Sequence, residues 1–515
     1  MSKPFSFAIL LITLLLSLFV FQEINLTTAD LGRHITNGNI FINPGDFNVS
    51  RSDLLYTNLF SYTHSEFPFV NHHFGSGVLF YLVYIASGFA GLSLFYGACI
   101  IASTLILFSL FKNKVSLLVS VPTMLFLIPL IASRVEVRPE GLSYLFLASV
   151  IALLYLYNAN QISRRWLWSL PVLSLILVNV HIYFIFIPFI ISLFLLESLI
   201  RKDFVKSKFL TLIALSSVLA LCLNPSGIAG ATYPFTIFNN YGYRIVENQS
   251  ILFLVNLGLE NPHFLWWGLA SVLLILLSVL AFLKQRVEFP LALFALSASF
   301  MVLSFFSIRH FTLYGLSLVP LFLDYARILY NKPVDPERVE KHEDWSLILS
   351  ALVVILTMIN FNTRLPWRSN WGVGLMPRVE ASAEFFETEG IEGPIFSNYD
   401  IGSYLIFHLY PRERVFVDNR PEAYPAEFLQ DEYVRMQEDG DAWESALAKW
   451  GFNSIYFYRQ DMTPWAQPFL IARIEDPLWA PVFVDDYTII LLRRNTQNAS
   501  IIEKYELPRS MFVVK

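Results

Sequence analysis

The stretch Asp30–His73 reads DLGRHITNGNIFINPGDFNVSRSDLLYTNLFSYTHSEFPFVNHH. It is the first long polar segment of an apolar chain, and it lies between the apolar runs Phe5–Phe21 and Phe74–Phe111. A segment tethered in this way to two membrane spans lies at the boundary between water and lipid. Because acids and imidazoles are grouped in it, the segment predicts acid/base chemistry on a substrate that arrives from the bilayer.

The composition is typical of a polytopic membrane protein. Of the 515 residues, 55% are hydrophobic and only 15% are charged, whereas soluble proteins carry about 25% charged residues. The net charge of −5 gives no indication of nucleic-acid binding. Cys99 and Cys222 both lie in apolar runs and can build neither a disulfide framework nor a zinc cluster. No small-residue cleavage pattern follows the first apolar run, which therefore predicts a retained anchor.

Hydropathy predicts about eleven spans, although several are shorter than the roughly 20 residues that a perpendicular helix needs. The segment 74–111 is either one crossing preceded by an interfacial helix or two crossings broken at Gly88-Phe89-Ala90-Gly91. The segment 166–199 is interpreted as two spans split at Asn179-Val180-His181. Because cytoplasmic loops carry an excess of Lys and Arg, a single crossing at 74–111 is favoured. It places the N-terminus in the cytoplasm and the C-terminal part outside. The predicted spans are 5–21, 90–111, 115–133, 140–157, 166–180, 182–199, 208–223, 264–283, 288–307, 311–330 and 345–361.

The chain divides into a membrane domain, 1–361, and a soluble domain outside the membrane, 362–515; the membrane domain includes a first outer loop at 22–73 with interfacial helices. Short β-rich runs alternate with helical ones after residue 361, which predicts a small α/β domain with a largely parallel sheet. No glycine-rich phosphate loop marks a nucleotide site. The predicted strands are Ile395–Ser397, Val415–Asp418, Ser454–Tyr458, Val482–Val484 and Thr488–Leu492. The predicted helices are Pro377–Thr388, Ile401–Leu409, Tyr424–Gln437, Ala442–Trp450 and Pro464–Glu475.

Asp30, Arg33 and His34 fall at i, i+3 and i+4, so they share one face of a helical turn that begins near the end of the first span. A carboxylate at this place can act as the base for an acceptor hydroxyl, while the guanidinium of Arg33 faces a phosphate. The alternative is an interfacial salt bridge with a helix-capping acid.

Further polar residues gather on the predicted outer face. Arg134, Glu136, Arg138 and Glu140 form either a contact strip for phosphate and sugar or a solvated charged loop. Arg309-His310 lies between two apolar spans against the positive-inside trend; it suits the phosphate of a lipid carrier, or it is a snorkelling pair. His181 is either a ligand-binding residue or a buried histidine with its own partner.

The loop also raises the question of a metal. His72 and His73 are adjacent and cannot both face one metal from a regular helix, and Asp53 and the other acids have no fixed metal spacing. No cofactor is specified, and a divalent metal is left open. In the tail, Asp418-Asn419-Arg420-Pro421 follows a predicted strand, where α/β proteins place sites, although a structural turn fits equally well.

The chain resembles membrane glycosyltransferases of the GT-C superfold, such as protein O-mannosyltransferases and aminoarabinose transferases. The shared features are an acid just beyond the first span, a long first outer loop, many spans and a soluble outer domain. The order of motifs is most similar to a group of poorly characterised bacterial membrane proteins assigned to that superfold. The matching stretches are Asp30-Leu31-Gly32-Arg33-His34-Ile35-Thr36-Asn37-Gly38, Phe60-Ser61-Tyr62-Thr63-His64, Asn71-His72-His73, Arg138-Pro139, Asn179-Val180-His181, Leu223-Asn224-Pro225-Ser226-Gly227, Asn398-Tyr399-Asp400-Ile401-Gly402-Ser403-Tyr404-Leu405 and Arg414-Val415-Phe416-Val417-Asp418-Asn419-Arg420-Pro421.

The resemblance implies a polyprenyl-phosphate sugar donor and transfer of the sugar, on the outer face of a bacterial inner membrane, to a glycan, lipid or protein acceptor. By position, Asp30 matches the catalytic acid of the first loop. The paired acids of the mannosyltransferases are absent, since Leu31-Gly32 follows Asp30. Asp53, Glu66, Glu136 and Glu140 are candidates for the second acid, and Glu136 is preferred.

The resulting hypothesis is a transferase with Asp30 and Glu136 as catalytic residues and Arg309 with Arg138 on the donor phosphate. The rival hypothesis is a non-catalytic membrane protein, either a transporter of lipid-linked glycans or an assembly partner with a degenerate site. A transporter more often shows broken spans and polar residues near the midplane. The predicted substrate-binding residues are Arg33, His34, Asp53, His72, His73, Arg134, Arg138, His181, Arg309 and His310.

Overall fold

The computed structural model describes residues 3–330, 348, 350–353, 355 and 371–512. The chain forms two compact units. The helical unit comprises residues 1–22, 93–231 and 244–373, and the mixed unit comprises 23–92, 232–243 and 374–515. This division differs from the predicted boundary at 361, because the first outer loop belongs to the same unit as the C-terminal domain.

Among the described residues, seven helical segments are long and apolar enough to cross a membrane. The predicted count of eleven spans is not confirmed. Three of the predicted spans form helices too short to count, at Leu117–Ile131, Ser169–Val178 and Leu291–Phe306, and the span 345–361 lies largely outside the described residues. The seven segments are Lys3–Val20, Phe74–Ser109, Glu140–Asn158, Ile182–Ile200, Phe204–Leu221, His263–Lys284 and Ile308–Leu329.

Two predicted breaks are present in the structure. The long segment Phe74–Ser109 is interrupted at Gly88, whose φ of 62° and ψ of −163° are not helical. Glycine accepts this backbone conformation readily because it has no Cβ. The second break is also confirmed, because one helix ends at Val178 and a 3-10 turn begins at Ile182.

The mixed unit contains a four-stranded sheet with the order β1-β2-β4-β3. Only β1 and β2 are parallel; β4 is antiparallel to both of its neighbours. The prediction of a largely parallel sheet is therefore wrong. Asp485 accepts hydrogen bonds from the backbone N–H groups of Tyr487 and Thr488 and so fixes a tight turn between β3 and β4, and such a turn joins only antiparallel strands. The strands are β1 Ile395–Ser397, β2 Ser454–Tyr458, β3 Trp479–Val484 and β4 Thr488–Arg493.

Four of the five predicted strands are present, but Val415–Asp418 is not a strand. Instead, Val415 forms an isolated parallel bridge with Ser61 of the first loop. The predicted helix Tyr424–Gln437 is replaced by the π-helix Phe428–Val434 and the short helix Arg435–Glu438. The remaining helices of the mixed unit are Leu31–Ile42, Arg51–Tyr56, Ala381–Thr388, Gly402–Leu409, Gly440–Trp450, Ala466–Glu475 and Ala499–Tyr505.

The helix Leu31–Ile42 is packed closely through glycine. A Cβ on Gly32 would lie 2.6 Å from the carbonyl oxygen of Ser403, and one on Gly402 would lie 2.4 Å from Cα of Asp418. Real Cβ atoms do not approach other atoms so closely, so these positions require glycine. The two contacts bring the first outer loop, the helix Gly402–Leu409 and the Asp418-Asn419-Arg420 stretch together.

Candidate functional site

Asp30 lies immediately before the helix Leu31–Ile42 and is partly buried. Its side chain makes no capping hydrogen bond to that helix. The proposed alternative, a helix-capping acid, is therefore wrong for the side chain of Asp30. Arg33 lies one helical turn after Asp30, and the two side chains are charged neighbours. The i, i+3 spacing predicts this proximity.

Arg33 is 3% exposed. Its Nε atom has no hydrogen-bond partner in the described part of the chain. Asp30, Asp418 and Glu422 are its acidic neighbours, while the ion pairs found among the described residues involve other arginines, such as Arg134, Arg309 and Arg420. Burial lowers the pKa of Arg33, although Asp30 opposes this effect. A buried guanidinium nitrogen without a hydrogen-bond partner is costly, so an arginine held in this way is suited to an anionic ligand.

The second arginine of the mixed unit, Arg420, is paired. It donates from Nε to Asp418 Oδ1 at 2.7 Å and from a terminal nitrogen to Asp418 Oδ2 at 2.6 Å. The same arginine donates to Asn58 Oδ1 at 2.7 Å and lies 4.8 Å from the ring centroid of Phe69. The Tyr424 hydroxyl donates to Asp418 Oδ2 at 3.0 Å. This network ties the C-terminal domain to the first outer loop within one unit.

Glu422 is a further acidic neighbour of Arg33, and Tyr399 is in turn a neighbour of Glu422 and Asp30. Glu422 follows in the 3-10 turn Pro421–Ala423, and Arg33 and Arg420 are its charged neighbours. Burial raises the pKa of Glu422. Tyr399 is 3% exposed, its hydroxyl has no partner among the described residues, and both Glu422 and Asp30 are among its neighbours. Burial raises the pKa of Tyr399, so its hydroxyl stays protonated and can donate a hydrogen bond.

The three predicted histidines of the first loop are close together. The rings of His72 and His73 lie 3.8 Å apart, and those of His34 and His73 lie 5.3 Å apart. His72 also contacts Tyr233, with ring centroids 5.0 Å apart. His34 and His72 are buried.

Asp53 is one of the candidates for the second catalytic acid, and its side chain caps a helix of the first loop. It accepts a hydrogen bond from the Ser50 N–H at 3.0 Å, while Ser50 Oγ accepts one from the Asp53 N–H at 3.1 Å. This capping box begins the helix Arg51–Tyr56 and engages the carboxylate of Asp53. Glu66, another candidate, is exposed.

The residues Arg134, Arg138 and Arg309 form an ionic cluster in the helical unit with Glu140 and Glu247. Arg134 and Arg138 donate to the two carboxylate oxygens of Glu247 at 2.7 and 2.9 Å. Arg309 donates to Glu140 at 3.1 Å. The three predicted arginines are thus brought together, and each is paired with an acid.

Glu136, the preferred second acid, lies at the edge of this cluster. It accepts a hydrogen bond from Arg138 at 2.8 Å and is 50% exposed, whereas Glu140 is 2% exposed. The three acids Glu136, Glu140 and Glu247 balance the three arginines.

The two other predicted histidines are in the same unit. His181 is 1% exposed, and its Nδ1 lies 2.9 Å from Ser143 Oγ. His310 has its Nδ1 3.2 Å from the carbonyl oxygen of Ser307. The ring of Tyr183 lies between them, 4.4 Å from that of His181 and 5.6 Å from that of His310. The interpretation of His181 as a buried histidine with its own partner therefore fits its Ser143 contact.

Glu247 is expected to be the acid on which the ionic cluster depends most. Glu247→Gln removes the carboxylate that both Arg134 and Arg138 contact, and breaking a buried ion pair costs about 3–5 kcal/mol. Because Glu247 is 16% exposed, we expect a loss near the lower end of this range, measured by thermal unfolding in detergent. Glu136→Gln is the matched control and should change stability by less than about 1 kcal/mol. Equal stability of the two variants would contradict this account.

The same acid predicts a pH dependence. Burial alone would raise the pKa of Glu247, but Arg134, Arg138 and Arg309 outweigh it and lower the pKa from 4.5 to about 2. Its contribution to stability is therefore present above pH 4.5 and is lost as the pH falls toward 2. The loss of stability over this interval should be smaller in Glu247→Gln than in the wild type.

Sequence reasoning missed Glu247 and Glu422. The signal for Glu247 was the prediction of three arginines, Arg134, Arg138 and Arg309, on the outer face, because such a group needs acidic partners nearby. Glu422 directly follows a quoted motif that ends at Pro421. Across the described residues, no group of three or more His, Cys, Asp and Glu side chains has an arrangement that could hold a metal ion.

Comparison of the chain with protein-family models and with curated proteins gives no match. The fold therefore defines the class by itself: a helical protein whose apolar helices indicate insertion into a membrane, with a small C-terminal sheet. The assignment to a particular family remains a prediction from the motifs.

Proposed function

We propose that this protein is an integral-membrane glycosyltransferase that moves a sugar from a polyprenyl-phosphate donor to an acceptor on the outer face of the membrane. The observation that carries the proposal is the buried guanidinium of Arg33, whose Nε atom has no hydrogen-bond partner among the described residues and which neighbours Asp30. A cation beside an acid supports the two tasks of the reaction, which are to hold a phosphate and to accept a proton.

The donor phosphate is assigned here to Arg33 rather than to Arg309 with Arg138. Arg309 and Arg138 are engaged by Glu140 and Glu247, so a phosphate would have to displace a carboxylate. Asp30, Asp418 and Glu422 are acidic neighbours of Arg33, but its Nε atom has no hydrogen-bond partner among the described residues. This difference between paired and unpaired arginines favours Arg33.

The proposed reaction is a direct displacement with inversion at the anomeric carbon. Asp30 removes the proton of the acceptor hydroxyl as the acceptor oxygen forms a bond to the anomeric carbon. The bond between the anomeric carbon and the phosphate oxygen breaks, and its electron pair leaves on the polyprenyl phosphate, beside Arg33. The glycosidic product leaves Asp30 protonated until water takes the proton.

Arg33→Gln is expected to raise the apparent KM for the donor by about 10- to 100-fold, because a hydrogen bond to a charged group contributes about 1.5–3 kcal/mol. The KM for the acceptor should change little. Arg33→Lys should restore only part of the affinity, since lysine lacks the planar fork. Steady-state kinetics of the purified variants in nanodiscs measure both constants.

Arg51→Gln is the matched control for this experiment. Arg51 lies in the same loop but is exposed and donates to the Phe41 carbonyl, so its removal should leave the donor KM unchanged. An unchanged donor KM in Arg33→Gln would remove Arg33 from the site.

The proposed orientation is tested by cysteine labelling in a Cys222→Ser background. Ser445 in the C-terminal domain and Ser163 between two spans are both exposed. Ser445→Cys should react with an impermeant maleimide in intact spheroplasts, because this domain is proposed to lie outside. Ser163→Cys should react only after the membrane is made permeable. Labelling of Ser163→Cys alone in intact spheroplasts would reverse the proposed orientation.

A further inference from the structure

The segment Thr232–Tyr243 belongs to the mixed unit, although the residues before and after it belong to the helical unit. It contains two short 3-10 turns, Tyr233–Phe235 and Ile237–Asn240. In chain order it lies between the helices Phe204–Leu221 and His263–Lys284, and both are long and apolar enough to cross a membrane. The segment is therefore joined at each end to a part of the chain that indicates membrane insertion.

The two ends of the segment are packed against the mixed unit. The ring of Tyr233 lies 5.0 Å from that of His72. At the other end, a Cβ on Gly242 would lie 2.5 Å from the carbonyl oxygen of Ala426, so glycine permits this close approach. Tyr243 is only 8% exposed. These contacts fix both ends of the segment on the unit.

The middle of the segment exposes large apolar side chains. Phe235 is 71% exposed and Phe238 is 58% exposed. Thr236 and Asn239, which lie beside them in the chain, are exposed as well. Contact between water and two such rings is unfavourable. The phenylalanines are therefore expected to contact an apolar surface when the protein is in its natural environment.

The sequence around the segment indicates which apolar surface fits. Residues 209–243 contain no Asp, Glu, Lys, Arg or His, whereas soluble proteins carry about 25% charged residues. Exposed apolar side chains continue along this stretch from the helix Phe204–Leu221, at Leu219, Leu223 and Ile228, to Phe235. An uncharged stretch of this kind, continuous with a membrane-crossing helix, matches the lipid bilayer better than it matches water or the charged surface of a soluble partner.

We infer that the segment Thr232–Tyr243 lies at the lipid surface, with Phe235 and Phe238 inserted among the acyl chains of one leaflet. Thr236 and Asn239 supply hydrogen-bonding groups at the level of the lipid headgroups. The inference goes beyond the proposed sugar transfer and does not depend on it. It assigns to the mixed unit a lipid contact of its own, which is separated by only two residues from the Tyr233 contact with His72.

Nitroxide labelling of the full chain, in nanodiscs of phosphatidylcholine and phosphatidylglycerol, tests this inference. Phe235→Cys and Phe238→Cys are labelled one at a time in the Cys222→Ser background. Collisions of the label with oxygen, which concentrates among acyl chains, are compared with collisions with a nickel chelate, which stays in water. We expect both labels to lie about 5–10 Å below the headgroup level, the depth that apolar side chains of interfacial segments reach. Ser445→Cys, at an exposed site of the same unit, is the control and should collide mainly with the chelate.

A second pair of variants tests the role of the phenylalanine ring itself. In labelled Phe238→Cys, the further substitution Phe235→Ser should move the label toward water, whereas Thr236→Ser should leave its depth unchanged. Labels at both phenylalanine positions that meet the chelate as often as the label at Ser445→Cys does would overturn the inference. Exclusion of both oxygen and the chelate would also overturn it, because protein rather than lipid would then cover the segment.

Discussion

Asp30→Asn is expected to lower the turnover number for sugar transfer by about 10²–10⁴-fold, the contribution that a general base typically makes. This corresponds to about 3–5 kcal/mol of activation free energy. The substitution keeps the size of the side chain and removes the group that accepts the proton. The substitution removes no capping hydrogen bond from the helix that follows. The turnover number is measured with purified protein at saturating donor.

Asp46→Asn is the matched control, since Asp46 lies in the same loop and is exposed. It should turn over at the wild-type rate. Donor binding should be retained in Asp30→Asn, because the phosphate is assigned to Arg33. If Asp30→Asn transferred sugar as fast as the wild type, the catalytic interpretation of the first loop would be wrong.

Arg420→Ala is expected to cause the largest loss of stability. It leaves the fully buried carboxylate of Asp418 without its cation and also removes the contacts with Asn58 and Phe69. Breaking a buried ion pair costs about 3–5 kcal/mol. Burial alone would lower the pKa of Arg420, but Asp418 outweighs it and raises the pKa, so the cation is present across the physiological range.

Thermal unfolding of the full chain in detergent measures this loss. Arg412→Ala is the control, because Arg412 is 47% exposed and reaches Glu387 only at 4.0 Å; it should change stability by less than about 1 kcal/mol. A melting temperature of Arg420→Ala within the range of this control would show that the network does not hold the unit together.

The sequence predicted the apolar helices and most of the strands, because both depend on local patterns. The break at Gly88 and the break between Val178 and Ile182 were visible as small or polar residues inside long apolar runs. The predicted number of spans is not confirmed among the described residues, because hydropathy does not show where a helix ends. Ser169–Val178, for example, is only 10 residues long.

The pairing of strands in the sheet could not be predicted from local sequence patterns. Alternation of strands and helices suggested parallel pairing, but the turn at Asp485 makes β3 and β4 a hairpin. Local composition predicts that a strand begins at Val415, but its bridge partner, Ser61, is more than 350 positions away in the chain. Pairing over such a separation cannot be inferred from local composition.

Only part of the candidate site could be predicted, because contacts between residues distant in the chain do not appear in local sequence patterns. Asp30 and Arg33 could be linked because they are one helical turn apart. Whether an arginine is paired depends on residues that are distant in the chain. The sequence therefore could not distinguish Arg33, without an ion pair among the described residues, from Arg309, whose partner Glu140 lies 169 residues earlier.

The most direct test of the central claim is the lipid-linked sugar pool of cells that lack this protein. If it consumes a polyprenyl-phosphate sugar, thin-layer analysis of membrane lipids should show that sugar lipid accumulating after deletion of the gene. Wild-type protein should return the pool to its normal level, and Asp30→Asn, expressed to the same amount, should not. An unchanged pool after deletion, or full correction by Asp30→Asn, would contradict the proposed function.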